Sequence, residues 1–341
     1  MLLKKRWFRR SIGLLLSIGV LVIGIRRITA DPNLREIDTY FSFAASPDRS
    51  LLATTSGDKI TLWRLPALTV EREISSPAMV EPRTIAWRAD GQAFAMSSGK
   101  DNDTVVIYDL GNTTVSIIVD EKSRFITKLA WSPDAQWLAI GYGEAQIDLL
   151  HVPDGHSTQT LHLLPKKILD GHSNFVTDLT FDATGQMLIS GSYDGMIRQW
   201  RVDDGTLLDS FPLHGGDVKS MALSPDGQTL ATGAGNTVRL WNLNDGTWRD
   251  AFMRHKESVN SVAWSPDGQW LVSGSGDYHG GEYGLYESKH RTVQVWQASD
   301  GRSLFTFGGQ EAPVAGVAFS ADGQWVISGA TWDGLRRWKV K

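Results

Sequence analysis

Eight histidines and no cysteine bound the chemistry this chain can do. Without Cys there is no disulfide, no thiolate metal ligand and no thiol nucleophile. A Cys-free chain is at home in either redox compartment, so none is assigned. His172, His214 and His255 stand at one recurrent position ahead of an apolar strand. His151, His156 and His162 fall in a longer connection and read as solvent-facing loop and edge-strand residues. His279 and His290 share a segment with Asp277, Glu282 and Glu287. Imidazole and carboxylates together could hold a metal, but this spacing matches no established ligand pattern, so neither metal nor cofactor is expected. The chain has no G-x-S-x-G, no H-E-x-x-H and no phosphate-binding glycine loop before a helix. No catalytic residue is therefore assigned, and the expectation is a protein that is not an enzyme. Tyr278, Tyr283 and Tyr286 in the same segment are amphipathic anchors of the kind that binding hot spots use.

These residues hang on a repeat. Apolar alternation, a turn of the Ser-Pro-Asp-Gly kind, a second apolar stretch with small residues, another turn and a third strand that carries an aromatic in six of the copies recur seven times. VTDLTFDATGQMLISGSYDGMIRQWRV and VKSMALSPDGQTLATGAGNTVRLWNL are two of the copies. The aligned third-strand positions are Trp63, Tyr108, Leu150, Trp200, Trp241, Trp296 and Trp338, at separations of 45, 42, 50, 41, 55 and 42. A period near 40–45 residues made of four short strands is a propeller blade. Val, Ile, Leu and Trp in period-two alternation make the strands. The turn follows from Pro fixing φ, Asp capping its own backbone and Gly tolerating positive φ. Pro47, Pro133, Pro225 and Pro266 stand in these turns, and Ala89, Ala183 and Ala321 replace Pro in the others. One blade cannot bury both faces of its sheet; seven in a ring can.

On these seven registered copies, covering about residues 34–341, the chain resembles the WD-repeat family. The resemblance implies an all-β, seven-bladed β-propeller of four-stranded antiparallel blades. It also implies that His172, Ser190, Asp194 and Trp200 of the fourth copy link the strands of one blade through hydrogen bonds. The indole N–H of Trp200 is then expected to go to Ser190. Other copies keep fewer members: His214, Thr232 and Trp241, or His255, Ser273, Asp277 and Trp296. The third copy has Leu150 for Trp and no matching His, and the seventh has Gln310 where His is expected. The family's Trp-Asp dipeptide is replaced by Trp200-Arg201, Trp241-Asn242 and Trp338-Lys339. The seventh copy stops after its third strand, so residues around Leu34–Ile37 are expected to close the ring beside 335–340.

Residues 1–30 form a separate unit. They carry seven basic residues and no acid, and enclose the uncharged run 11–25, SIGLLLSIGVLVIGI. As a helix this run covers roughly 22 Å at ~1.5 Å per residue. Flanking Arg side chains and Trp7 and Phe8 can extend it toward a bilayer's ~30 Å core. The alternatives are a retained transmembrane signal anchor and a signal peptide cut near Thr29-Ala30. Five basic residues precede the run and two follow, which puts the N-terminus in the cytoplasm and the propeller (31–341) outside it, as a single-pass membrane protein or, after cleavage, a secreted or periplasmic one.

The remainder of the chain holds 27 basic against 38 acidic residues, a net of −11. That balance opposes phosphate neutralisation, and no nucleic acid is expected. The resemblance implies a monomeric, non-catalytic scaffold for protein partners, tethered through residues 11–25 or exported. The competing readings are a propeller that senses a small ligand or metal and, behind it, a propeller enzyme. The expected partner surface is the end of the ring carrying the insertion 277–290. Tyr278, Tyr283 and Tyr286 share that end with Phe175 and Trp332.

Overall fold

In the computed structural model the described residues are 34–35, 42–75, 79–111, 113, 115–119, 124–152, 161–162, 167–212, 216–243, 247–277, 290–330 and 333–340. They form seven sheets, each built on four antiparallel strands. The fourth is representative, with strands Val176–Phe181, Met187–Ser192, Met196–Arg201 and Leu207–Pro212. Innermost strands of successive sheets touch around a central axis, so the molecule is a seven-bladed propeller. The blades are numbered here in chain order and their strands a to d from the axis outward.

The turn between strands a and b repeats in detail. In blade 6 the Ser265 hydroxyl donates to Asp267 Oδ1 at 2.6 Å and accepts the Trp270 amide at 2.9 Å, while Asp267 accepts the Gln269 amide at 3.1 Å. Blade 4 reverses the two residues: Thr184 donates to Asp182, and Asp182 accepts the Met187 amide at 2.9 Å. The next turn residue is left-handed in all seven blades, glycine in five of them.

Packing near the axis selects small residues because the sheets converge there. Six of the seven strand-a residues Ala44, Ala86, Ala130, Thr180, Ala222, Ala263 and Ala318 are alanine. On strand b, a Cβ at Gly191 would lie 2.7 Å from Val218 of the next blade, and one at Gly274 would lie 2.4 Å from Val314. Side chains also take backbone amides across blades. Asp178 accepts from Met221 at 2.6 Å, Ser220 from Val262 at 3.2 Å, Ser261 from Val317 at 3.2 Å and Ser42 from Ile85 at 3.0 Å. These bonds satisfy inner-strand donors that face no strand within their own sheet.

Strand d of blade 7 is Leu34–Arg35, with Leu34 opposite Arg336 and Arg35 opposite Leu335. The ring is thus closed by residues that precede blade 1 in the chain, which covers the edge of strand Gly334–Lys339. Blade 2 departs from four strands. Leu161–His162, from the long link ahead of strand d of blade 3, pairs in parallel with the outer strand Val115–Val119 as a fifth strand. Its backbone takes up groups that an exposed edge would leave unpaired. The apolar run 11–25, and the helix expected of it, lie outside the described residues. Among the described residues no helix is long and apolar enough to cross a membrane.

Candidate functional site

The four residues singled out in the fourth blade meet. Trp200, 1% exposed, donates its indole N–H to Ser190 Oγ at 2.8 Å. His172 Nε2 lies 2.7 Å from the same hydroxyl, and its Nδ1 lies 3.0 Å from Asp194 Oδ2. Asp194 also takes the Ser173 amide at 3.0 Å and the Met196 amide at 2.9 Å, which fixes the b–c turn to the lead-in of strand a. Sequence reasoning missed Arg198, whose Nη1 reaches Asp194 at 2.9 Å and also His172 Nδ1. Burial pushes the His172 imidazole below its ordinary value; Asp194 works against this and Arg198 with it. For Asp194 burial alone would raise the carboxyl, and the hydrogen bonds from Ser173 and His172 outweigh it. The set is closed on itself, with the Ser190 and Trp200 side chains away from solvent. It ties strands together and leaves no nucleophile for a substrate.

Other blades vary this slot. In blade 6, His255 and Trp296 both reach Ser273 Oγ, at 2.6 and 2.7 Å. Asp277 does not complete that set. His255 Nδ1 faces the Thr292 hydroxyl at 3.1 Å, and Asp277 instead accepts the Ser258 amide at 3.3 Å. The insertion lengthens the b–c link, so its first residue no longer sits where a short turn would hold it. In blade 7 Gln310 takes the place of His, donating to Ser328 Oγ at 2.6 Å while Trp338 donates at 2.8 Å. His214 lies outside the described residues; its blade keeps Trp241 donating to Thr232 at 3.1 Å.

Blade 3 holds a different cluster that the sequence did not reveal. Arg124 pairs with Asp148, both buried; Tyr142 donates to Asp148 at 3.2 Å, and the Arg124 guanidinium stacks 3.8 Å from the Tyr142 ring centre. Among the described residues no group of three or more His, Asp or Glu could hold a metal.

Of the residues expected to meet a partner, Tyr278, Tyr283, Tyr286 and Trp332 lie outside the described residues. Phe175 stands where expected, at the end of the ring holding the b–c and d–a links, and is 46% exposed. It stacks on Tyr193 of the b–c turn, with ring centroids 6.2 Å apart at 23°. Phe125 occupies the corresponding position in blade 3, is 39% exposed, and lies under Arg83 of blade 2 at 5.8 Å. Burial and the nearby Asp217 raise the Tyr193 phenol above its ordinary value. Tyr193 was legible as an aromatic inside a Ser-Tyr-Asp-Gly turn. Phe125 was legible from its alignment with Phe175, one residue before strand a. The root of the blade 6 insertion is at the same end, where the Asp277 amide donates to Glu257 at 3.1 Å.

Comparison with known proteins matches the family model "WD domain, G-beta repeat" to residues 164–201, 205–242, 247–279 and 301–335. The model "Anaphase-promoting complex subunit 4 WD40 domain" matches residues 114–172. The chain is similar to COMPASS component SWD3 of Saccharomyces cerevisiae, 31% identical over 39% of this chain and 38% of the relative. It is similar to human Coronin-7, 35% identical over 31% of this chain and 12% of the relative. It also resembles cell division cycle 20.1, cofactor of APC complex, of Arabidopsis thaliana, 25% identical over 50% of this chain and 36% of the relative. The matches thus span well under two thirds of these relatives' own lengths.

Proposed function

The chain belongs to the WD-repeat family, and from that premise we propose that it is a non-catalytic interaction scaffold. In this reading it presents the b–c and d–a end of its ring to a protein partner. The observation that carries this reading is the exposed aromatic group Phe125, Phe175 and Tyr193. It spans blades 3 and 4 next to strand ends, beside Arg83, at the same end of the ring as the root of the blade 6 insertion. Exposed aromatics backed by a preorganised frame contribute most to binding because they lose little conformational freedom on docking. The names of two relatives, a component of one complex and a cofactor of another, support a role in assembly.

Tethering through residues 11–25 is part of the proposal. Strand d of blade 7 runs antiparallel to its neighbour, so the chain enters Leu34 from the a–b turn end. A tether there leaves the aromatic end facing away from the membrane. An export-dependent reporter fused after Lys341 is expected to be active, and activity of a cytoplasm-only reporter overturns the topology. Capture of a partner by the full chain, followed by mass spectrometry, tests the scaffold itself. Phe175→Ala combined with Tyr193→Ala should leave the melting temperature unchanged and abolish capture; undiminished capture moves the surface elsewhere.

A further inference from the structure

The opposite end of the ring carries a feature that neither the relay nor the aromatic group explains. At the left-handed position of the a–b turn, five blades place Gly91, Gly185, Gly227, Gly268 and Gly323, and blade 3 places Ala135. Blade 1 places Arg49 there, at φ 56°. A side chain is strained in that region because its Cβ crowds the following carbonyl oxygen. The largest flexible cation in the set of seven therefore sits where the repeat favours no side chain at all.

Its surroundings give the strain a use. A Cβ added at Gly185, Gly268 or Gly323 would lie 3.5–3.6 Å from the turn proline of the preceding blade, Pro133, Pro225 or Pro266. By the same step Arg49 follows the blade 7 turn, where the smaller Ala321 replaces Pro. Arg49 lines a cavity of about 320 Å³ with Phe43, Ser46, Trp264 and Phe319, at the a–b end of the channel where blades 6, 7 and 1 meet. Its Nη1 is shielded from solvent and has no hydrogen-bond partner among the described residues. Burial pushes the guanidinium below its ordinary value, with no anion opposing the shift. A half-enclosed, uncompensated guanidinium is costly unless an acceptor arrives.

We infer that this cavity is a carboxylate-receiving site in which Arg49 takes an acidic group of a peptide segment while Phe43, Trp264 and Phe319 pack its apolar neighbours. A single carboxylate fits better than a phosphate. Arg49 is the one cation in the lining, and Asp48, Asp226, Asp267 and Asp322 stand in turns at the same end, so a single carboxylate is neutralised whereas a dianion keeps one uncompensated negative charge among those acids. The carboxylate can be a side chain or a chain terminus, and the planar guanidinium can hold either bidentately.

The test follows the Arg49 Nε–Hε resonance of the full chain by NMR, assigned by its loss in Arg49→Gln. The probes are N-acetyl-Leu-Glu-amide, N-acetyl-Leu-Leu with a free carboxylate, neutral N-acetyl-Leu-Gln-amide, and inorganic phosphate. A saturable shift with either carboxylate peptide supports the site and identifies which carboxylate it takes. Since charge-assisted hydrogen bonds are worth roughly tenfold or more, the neutral peptide should bind about tenfold more weakly. An equal response to the neutral peptide, no saturable shift with any probe, or tighter binding of phosphate overturns the assignment. Arg49→Gly supplies an independent reading: as in the five other blades it should raise the melting temperature, because it relieves strain and removes an unpaired charge. A lowered melting temperature would make Arg49 a structural residue and overturn the inference.

Discussion

In blade 4 Leu188 faces Trp200 across strands b and c, and in blade 3 Leu138 faces Leu150, so the two blades pair in the same register. Two positions along, Ser190 faces Arg198 in one and Ile140 faces Asp148 in the other. The same place in the sheet thus holds a hydroxyl that gathers an indole and an imidazole, or an aliphatic side chain beside a buried Arg124–Asp148 pair. Both arrangements pin strand c and both occlude their polar atoms. The difference teaches that the repeat constrains backbone and volume, whereas the polar filling of each blade is settled by the partners it happens to have.

The comparison makes a ranked prediction. Asp148→Ala leaves the Arg124 guanidinium buried without its anion and should cost about 3–5 kcal/mol in chemical denaturation. Trp200→Phe removes one donor from a hydroxyl that keeps His172 beside it, and should cost about 1–3 kcal/mol. If Trp200→Phe costs more than Asp148→Ala, the two blades are not alternative solutions to one problem and the ion pair is peripheral.

A smaller effect sharpens the comparison within the relay blades. Blade 7 uses Gln310 where blade 6 uses His255, with the same reach to a Ser hydroxyl. Burial lowers the His255 imidazole to about 4, against ~6.5 in an unfolded chain. The folded state therefore resists protonation that the unfolded state accepts. Stability from this group is full above pH ~6.5 and is lost as pH falls from there toward about 4. His255→Gln should change little at neutral pH. It should make the loss of stability between pH 7 and pH 5 shallower than in the parent, with His172 leaving some slope behind. Parallel pH curves for the two proteins would show that His255 does not titrate differently on folding.

Much of the architecture was legible because it rests on local causes repeated seven times. The turn chemistry of Ser265, Asp267 and Gly268, the alternation in strands such as Val259–Trp264, and the spacing of Trp200 and Trp241 each follow from neighbours a few residues away. Ring closure by Leu34–Arg35 was legible by elimination, since the seventh copy lacked a fourth strand. The Phe175 position was legible for the same reason, being fixed relative to strand a.

What the sequence by itself determined, then, is the blade, its count and the direction in which the ring closes, because strand periodicity and turn geometry are short-range and add up. Only the tertiary structure decided the Arg124–Asp148–Tyr142 cluster, the replacement of Asp277 by Thr292 beside His255, the parallel strand that Leu161–His162 lends to blade 2, and the cavity at Arg49. Each of these depends on at least one side chain or edge brought in from 18 or more residues away, or from another blade, and meets its partners once instead of seven times. Their energy comes from desolvated charge and unpaired backbone groups, which have a sign and a size only when the surrounding sheet has excluded water.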